Sequence, residues 1–252
     1  MKQVKAMILA GEGINCEEET ASAFLRAGAK ADIVYWQEWM KEPNLLDQYQ
    51  ILVFPGGFSY GDELHSGQIL ALDLKYNLGR ELKQFMHRSG LVLGICNGFQ
   101  VLMKLGLFEL QAEKKERTMT LFHNSSFTFI DRWVHCKVPR SRCVWTQGLE
   151  KMALPIRHGE GRIILKGDEA SQAQLYTRLL ENELIALVYD EDVNGSYGLI
   201  AGLTDLTGQV LGLMPHPEAA LEASLYPFSY KQEQTIPLAL FKNAVQYAQE
   251  NL

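Results

Sequence analysis

Short apolar runs alternate with amphipathic segments over the first hundred residues. Residues 5–10 read as a buried strand, Gly11-Glu12-Gly13 as a loop, 17–27 as a helix closed by Gly28, and 31–36 as a second strand. Residues 50–54 make the next strand, turned by Pro55-Gly56-Gly57; a single helix is expected over 66–87, and 91–95 is a strand following Ser89-Gly90. Phe99, Leu102 and Met103 then recur at helical spacing up to Gly106. The alternation predicts an α/β fold, a doubly wound, mostly parallel sheet with helices on both faces and right-handed crossovers. Ligands of such sheets bind beyond the C-terminal strand ends. Pro55-Gly56-Gly57 and Cys96 both fall at such ends, so one site can draw on both.

From Leu121 the texture changes. Residues 127–130, 133–134 and 136–138 are rich in aromatic and β-branched side chains and predict additional antiparallel strands. Residues 163–165, 184–189, 199–203 and 210–214 continue the pattern, broken by turns at Asn194-Gly195 and Thr207-Gly208. A helix is expected at 169–180, and a last one starts near Pro237 and runs to about 249, with Leu238, Phe241, Val245 and Ala248 on one face. No composition shift or linker divides the chain, so residues 1–252 are expected to form a single domain.

Composition narrows the partners more than the fold. Thirty Asp and Glu against 24 Lys and Arg give a net charge of −6, and no basic stripe with interleaved aromatics appears, which argues against nucleic acid. No apolar run approaches the ~18 residues of a membrane span, and Met1-Lys2-Gln3-Val4-Lys5 lacks the apolar core of a signal peptide, so a cytoplasmic protein is expected. Cysteines at 16, 96, 136 and 143 make no paired-ligand spacing; reduced thiols and no metal are the simplest expectation.

Cys96 stands between the strand 91–95 and the helix after it, within Gly94-Ile95-Cys96-Asn97-Gly98-Phe99-Gln100. A cysteine at such a corner can be a small buried hydrophobe. Flanking glycines and helix-opening N–H groups instead suit a nucleophile elbow. A thiol nucleophile needs a base, and the base needs an orienting group. Met214-Pro215-His216-Pro217-Glu218 follows the apolar run 210–213 and supplies both; the two prolines favour extended backbone, in which residues two apart project to one side. Glu218 would then orient His216 toward Cys96. The other reading of this segment is a loop with proline punctuation and solvated side chains. Attack on an amide carbonyl also requires an oxyanion hole, for which the backbone N–H groups of Asn97 and Gly57 are the candidates.

These motifs resemble the triad glutamine amidotransferases: the elbow matches their GxCxGxQ pattern and His216-Pro217-Glu218 their HPE signature. Within that family the chain is similar to the glutaminase of phosphoribosylformylglycinamidine synthase. The likeness runs through Gly13 to Glu17, Pro55 to Asp62, Arg132-Trp133-Val134, Leu154 to Arg162 and Asn194-Gly195-Ser196. The resemblance implies that Cys96 attacks the side-chain amide of L-glutamine, that a γ-glutamyl thioester is cleared by water with His216 as base, and that Phe58 and Gln100 help bind glutamine. It further implies ammonia transfer to a large synthetase subunit, with a small bridging subunit, where ATP and magnesium activate the acceptor. No cofactor is expected in this chain, which has no GxxxxGK[ST] phosphate loop. Two other functions compete: an idle scaffold or regulatory homologue, and a triad amidotransferase serving another acceptor. Cys16 lies in Asn15-Cys16-Glu17 where the family commonly has Asn-Cys-Asp, and Ala219 stands where an arginine often follows the signature. Cys16, Cys136 and Cys143 are expected to be structural.

Overall fold

The computed structural model describes residues 3–110, 117–227 and 236–252. In chain order the elements are β1 (Lys5–Ala10), α1 (Glu17–Arg26), β2 (Lys30–Tyr35), α2 (Trp36–Lys41), β3 (Ile51–Phe54), α3 (Gln68–Asn77), α4 (Gly79–His87), β4 (Leu91–Ile95) and α5 (Asn97–Leu105). After them come β5 (Met119–Phe122), β6 (Ile130–Lys137), β7 (Lys151–His158), β8 (Arg162–Leu165), α6 (Glu169–Glu181), β9 (Ile185–Tyr189), β10 (Ile200–Thr204), β11 (Val210–Leu213) and α7 (Ile236–Asn251). The fold is mixed α/β, and its large sheet has the order β2-β1-β3-β4-β11-β10-β9-β6-β7. The five strands from β2 to β11 are parallel. The remaining four extend the same sheet in antiparallel fashion. Strands β5 and β8 pair separately.

Strands β1, β3, β4 and β11 are buried almost without interruption, as expected for parallel strands covered on both faces. Phe24 of α1 sits edge-on to Phe241 of α7 with ring centres 5.2 Å apart, and to Trp145 at 6.5 Å, anchoring those helices together.

The elements differ from the expected ones in four places. The helix expected over 66–87 is two helices, broken at Leu78 (φ −131°, ψ 12°) between the weak helix formers Asn77 and Gly79. Strand β7 has no counterpart in that reading; Pro155 interrupts its pattern, and the proline is tolerated because β7 lies at the sheet edge. Residues 127–129 precede β6 rather than belonging to a strand. In α7 the buried stripe is Leu240, Phe241, Ala244, Val245 and Ala248, with Leu238 only half-buried.

The register of the parallel half places the site. Phe54 pairs with Gly94, and Leu213 pairs with Ile95, so β3, β4 and β11 end side by side. The residues that leave these ends are Pro55-Gly56-Gly57, Cys96 and Met214-Pro215-His216. Helix α5 must then turn back tightly against β3. A Cβ on Gly98 would lie 1.8 Å from the Phe54 carbonyl oxygen, so only glycine fits. Gly98→Ala should therefore displace the helix start and lower stability by about 1–3 kcal/mol. Comparison of urea midpoints with the native chain measures it.

Candidate active site

Cys96 has φ 50° and ψ −104°, a conformation that a residue with a side chain adopts only at a cost of about 1–3 kcal/mol. The strand register holds it there: the Cys96 N–H donates to the Leu213 carbonyl at 2.8 Å, and the Cys96 carbonyl accepts from the Gln100 N–H at 3.1 Å. The thiol is thereby raised above the sheet end at the N-terminus of α5, with the Arg157 carbonyl 3.7 Å from Sγ.

His216 Nδ1 and Glu218 Oε1 are 2.6 Å apart, and both side chains are buried. The two prolines predict an extended segment here. The contact is made across a turn instead: Pro217 has helical dihedrals (φ −66°, ψ −30°) and Glu218 opens a short 3-10 turn. A hydrogen bond from the His216 N–H to the Pro155 carbonyl at 2.9 Å ties the segment to β7. Burial alone would favour the neutral ring. The Glu218 carboxylate outweighs it and, with the Cys96 sulfur, holds His216 protonated well above the usual histidine range. Neither the Cys96 nor the Cys16 sulfur closes a hydrogen bond of ordinary geometry on His216 Nε2, which is buried without a partner among the described residues.

Cys16, read from the sequence as structural, is drawn into the same spot. Donor atoms of Cys16, His216 and Glu218 lie within 4.8 Å of one another. Burial pushes the Cys16 thiol up, so it stays a neutral thiol beside the imidazole. Cys136 and Cys143 are buried elsewhere in the core, and burial raises both of their thiols.

Gly57 (φ 143°) is pressed against the Gly11–Cys16 loop; a Cβ there would lie 2.5 Å from the Gly13 carbonyl oxygen. Phe58 N–H donates to that same carbonyl at 2.7 Å, fixing the turn beside Cys96. Gly57, Phe58, Cys96 and Gln100 all border one cleft of about 190 Å³, together with Asp62, Ser66, His123, Phe129, Arg157, His158, Gly159 and Glu160. Phe58 is 44% exposed at the rim, tilted against Phe129 with ring centres 6.2 Å apart. Gln100 reaches the cleft, but its amide is engaged by the protein at both ends. Its Nε2 donates to the Glu160 carbonyl, and its Oε1 accepts from Asn97 Nδ2 at 3.0 Å. Asn97 Nδ2 also donates to Asp62 Oδ1 at 3.1 Å, and Asn97 Oδ1 accepts from the Ser59 N–H at 3.2 Å. The first turn of α5 thus braces both walls of the cleft.

Of these lining residues, Asp62, Ser66, His123 and Arg157 have no role assigned from the sequence, whereas the family resemblance puts His158-Gly159-Glu160-Gly161 near the glutamine site or a subunit contact, and His158, Gly159 and Glu160 border the cleft. The signal for most of them was the run of matched positions at 55–62 and 154–162, which carried no chemistry of its own. Glu160 lies against the Ser66 N–H at 3.4 Å and His123 Nδ1 at 3.5 Å. Burial pushes the Asp62 carboxyl up.

Residues 3–248 match the family model of the CobB/CobQ-like glutamine amidotransferase domain. The phosphoribosylformylglycinamidine synthase subunit PurQ of a Methanococcus maripaludis strain is 40% identical over 269 aligned positions, covering 96% of this chain and 97% of that one. The subunit of the same name from Dehalococcoides mccartyi is 36% identical, covering 99% and 100%. Among solved structures, a chain in the PurLQS structure from Thermotoga maritima superposes with a TM-score of 0.76 at 30% identity, covering 98% of this chain and 99% of that one. With a strained cysteine elbow and a buried His–Glu pair at adjacent strand ends, and with likeness over nearly its whole length, the chain belongs to the CobB/CobQ-like glutamine amidotransferases, in the PurQ family of phosphoribosylformylglycinamidine synthase subunits.

Proposed function

We propose that the chain, acting as one glutaminase domain, hydrolyses the side-chain amide of L-glutamine in de novo purine synthesis and delivers the ammonia to a synthetase subunit. The observation that carries this reading is the 2.6 Å His216–Glu218 contact buried behind a cysteine on a strained strand-to-helix corner. Cys96 is the nucleophile, His216 the base, and Glu218 the group that keeps His216 Nδ1 protonated and leaves Nε2 to the chemistry. The Cys96 thiolate adds to the amide carbon, and the oxygen takes up negative charge facing the Gly57 and Asn97 N–H groups. Collapse breaks the C–N bond as His216 gives its Nε2 proton to the leaving nitrogen; ammonia and a γ-glutamyl thioester result. Water, losing a proton to His216, then attacks the thioester, and glutamate leaves as the thiolate re-forms.

The cleft is smaller than the ~300–1,000 Å³ of drug-sized ligand sites and suits an amino acid. Asp62 and Glu160 in its wall face the α-ammonium group of glutamine, while the Arg157 guanidinium is paired with Glu19 at 3.3 Å. Phe58 covers the aliphatic part of glutamine, while Gln100 acts by holding the Glu160 loop. The relatives' shared description as synthase subunits supports a division of labour in which a large synthetase subunit, bridged by a small subunit, holds ATP and magnesium and uses the ammonia. Among the described residues no helix is long and apolar enough to cross a membrane. The reaction takes place in the cytoplasm.

Glutamine hydrolysis by the isolated chain should be slow and should rise about 10²–10³-fold when the synthetase and its nucleotide substrates are added, the factor that one oxyanion donor controls. Coupled assay of glutamate release, with and without the partner, measures it. A chain already at full rate alone would refute partner gating.

A further inference from the structure

Asn97, the residue after Cys96, is 1% exposed, and both polar atoms of its side chain are engaged. Its Oδ1 accepts at 3.2 Å from the Ser59 N–H, a group that can only donate. The other end is therefore the amino group, and both of its hydrogens are spent: one on Asp62 Oδ1 at 3.1 Å, the other on Gln100 Oε1 at 3.0 Å. The second bond fixes the Gln100 amide in turn. With Oε1 taken by Asn97, Nε2 is the end that donates to the Glu160 carbonyl. One buried amide thus reaches two walls of the cleft, Asp62 directly and Glu160 through Gln100. Asp62, Gln100 and Glu160 all border that cleft.

The loop that carries Asp62 needs such a hold. Tyr60, Asp62, Leu64 and His65 have φ between 54° and 88°, left-handed backbone that residues with side chains keep only where their surroundings impose it. Asn97 grips this loop at two points, the Ser59 N–H and the Asp62 carboxylate. It also bears on the charge of Asp62. Burial pushes that carboxyl up and the Glu160 carboxylate adds to the effect, while hydrogen bonds from Ser66, Asn97 and the Gly67 N–H oppose it. The Lys104 ammonium feels both carboxylates, and His123 Nδ1 faces Glu160 at 3.5 Å.

We propose that the Asn97 side chain is a positioning residue for the α-ammonium group of the substrate: it sets Asp62 directly and Glu160 through Gln100, so that the cleft selects an amide bearing an α-amino group over one without it. This rests on the glutaminase reading. Without Asn97 the Asp62 carboxylate is free to turn away and is more readily protonated, and Gln100 loses the partner that orients it. Both changes weaken a site for an ammonium group. The amide end of the substrate still meets Cys96, His216 and the oxyanion donors. The residue that follows the nucleophile in sequence therefore serves both ends of glutamine, its backbone N–H the reacting carbonyl and its side chain the distant amino group.

The test compares L-glutamine with glutaramate, the same primary amide without the α-amino group. In the full chain assembled with its synthetase, Asn97→Ala, which keeps α5 rich in good helix formers, should lower the ratio of glutamine to glutaramate kcat/KM by about 10–10²-fold, the effect of losing a hydrogen-bonded charge. Asp62→Asn should lower it by a similar factor. On acidification, the preference that remains in Asn97→Ala should fade at higher pH than the native preference does, because Asp62 has lost a donor that kept it ionised. Nitrogen NMR of the ¹⁵N-labelled Cys96→Ala chain reads the same bonds without turnover. The side-chain amide signals of Asn97 and Gln100 should shift on addition of glutamine and shift less with glutaramate. Equal loss of both amides in Asn97→Ala, or Asn97 and Gln100 signals that do not respond to glutamine, would overturn the proposal. Hydrolysis of neither amide by the native assembly would instead overturn the glutaminase reading, and this inference with it.

Discussion

Cys96→Ala should bring glutamine-dependent turnover down by about 10⁴-fold or more, to background, and His216→Ala should do nearly the same. On the proposed mechanism the two groups act as a unit. Without the sulfur there is no thioester, and without the imidazole nothing protonates the departing nitrogen. Removing either leaves only the oxyanion donors and the binding of glutamine. Neither change should harm the synthetase reaction when free ammonia is supplied to the assembled enzyme, because the ammonia bypasses the whole cleft. Measuring product formation with glutamine, then with ammonium salts at a pH that provides free ammonia, separates chemistry from folding. Failure of ammonia to rescue Cys96→Ala would mean that the lesion is structural and would remove support for Cys96 as nucleophile.

Glu218→Gln should cost less, about 10²–10⁴-fold, since an orienting group matters less than the nucleophile or base it serves. It should also move the pH profile in a defined direction. In the native chain the buried Glu218 carboxylate lifts the folded-state pKa of His216, so the imidazolium needed to protonate the leaving nitrogen persists below that raised value and is lost as pH rises through it. A neutral glutamine at 218 withdraws this support. The loss of activity on the alkaline side should then begin at lower pH than in the native chain. Steady-state rates across the pH range measure the shift; an unchanged or alkaline-shifted profile would show that Glu218 does not hold the proton on His216.

The parallel half of the fold was legible because its buried strands are unbroken apolar runs punctuated by glycine and proline. Strand β7 was not, since Pro155 breaks the pattern at a sheet edge where a missing N–H costs nothing. The break at Leu78 was hidden because Leu74, Leu78 and Leu82 keep helical spacing straight through it. The placement of Cys96, His216 and Glu218 at neighbouring strand ends was readable because each sits in a compact motif there. Contacts formed between distant positions were not. Cys16 meets His216, Gln100 holds the Glu160 carbonyl, and Asn124 Oδ1 lies 3.0 Å from His158 Nδ1; Cys16 and Gln100 stand in matched motifs, but nothing in those motifs names the distant partner. Local pattern reveals what one strand end presents; it carries no information on which loops the register brings together.

On the proposed mechanism, glutamine is opened by Cys96 through a covalent γ-glutamyl thioester. Acid quench of the enzyme during turnover of ¹⁴C-glutamine, followed by peptide mass spectrometry, tests it most directly. A γ-glutamyl group on the peptide containing Cys96, absent from Cys16, Cys136 and Cys143 and lost in Cys96→Ala, is the predicted result. An adduct on Cys16, or glutamine turnover with no label on Cys96, would contradict the account.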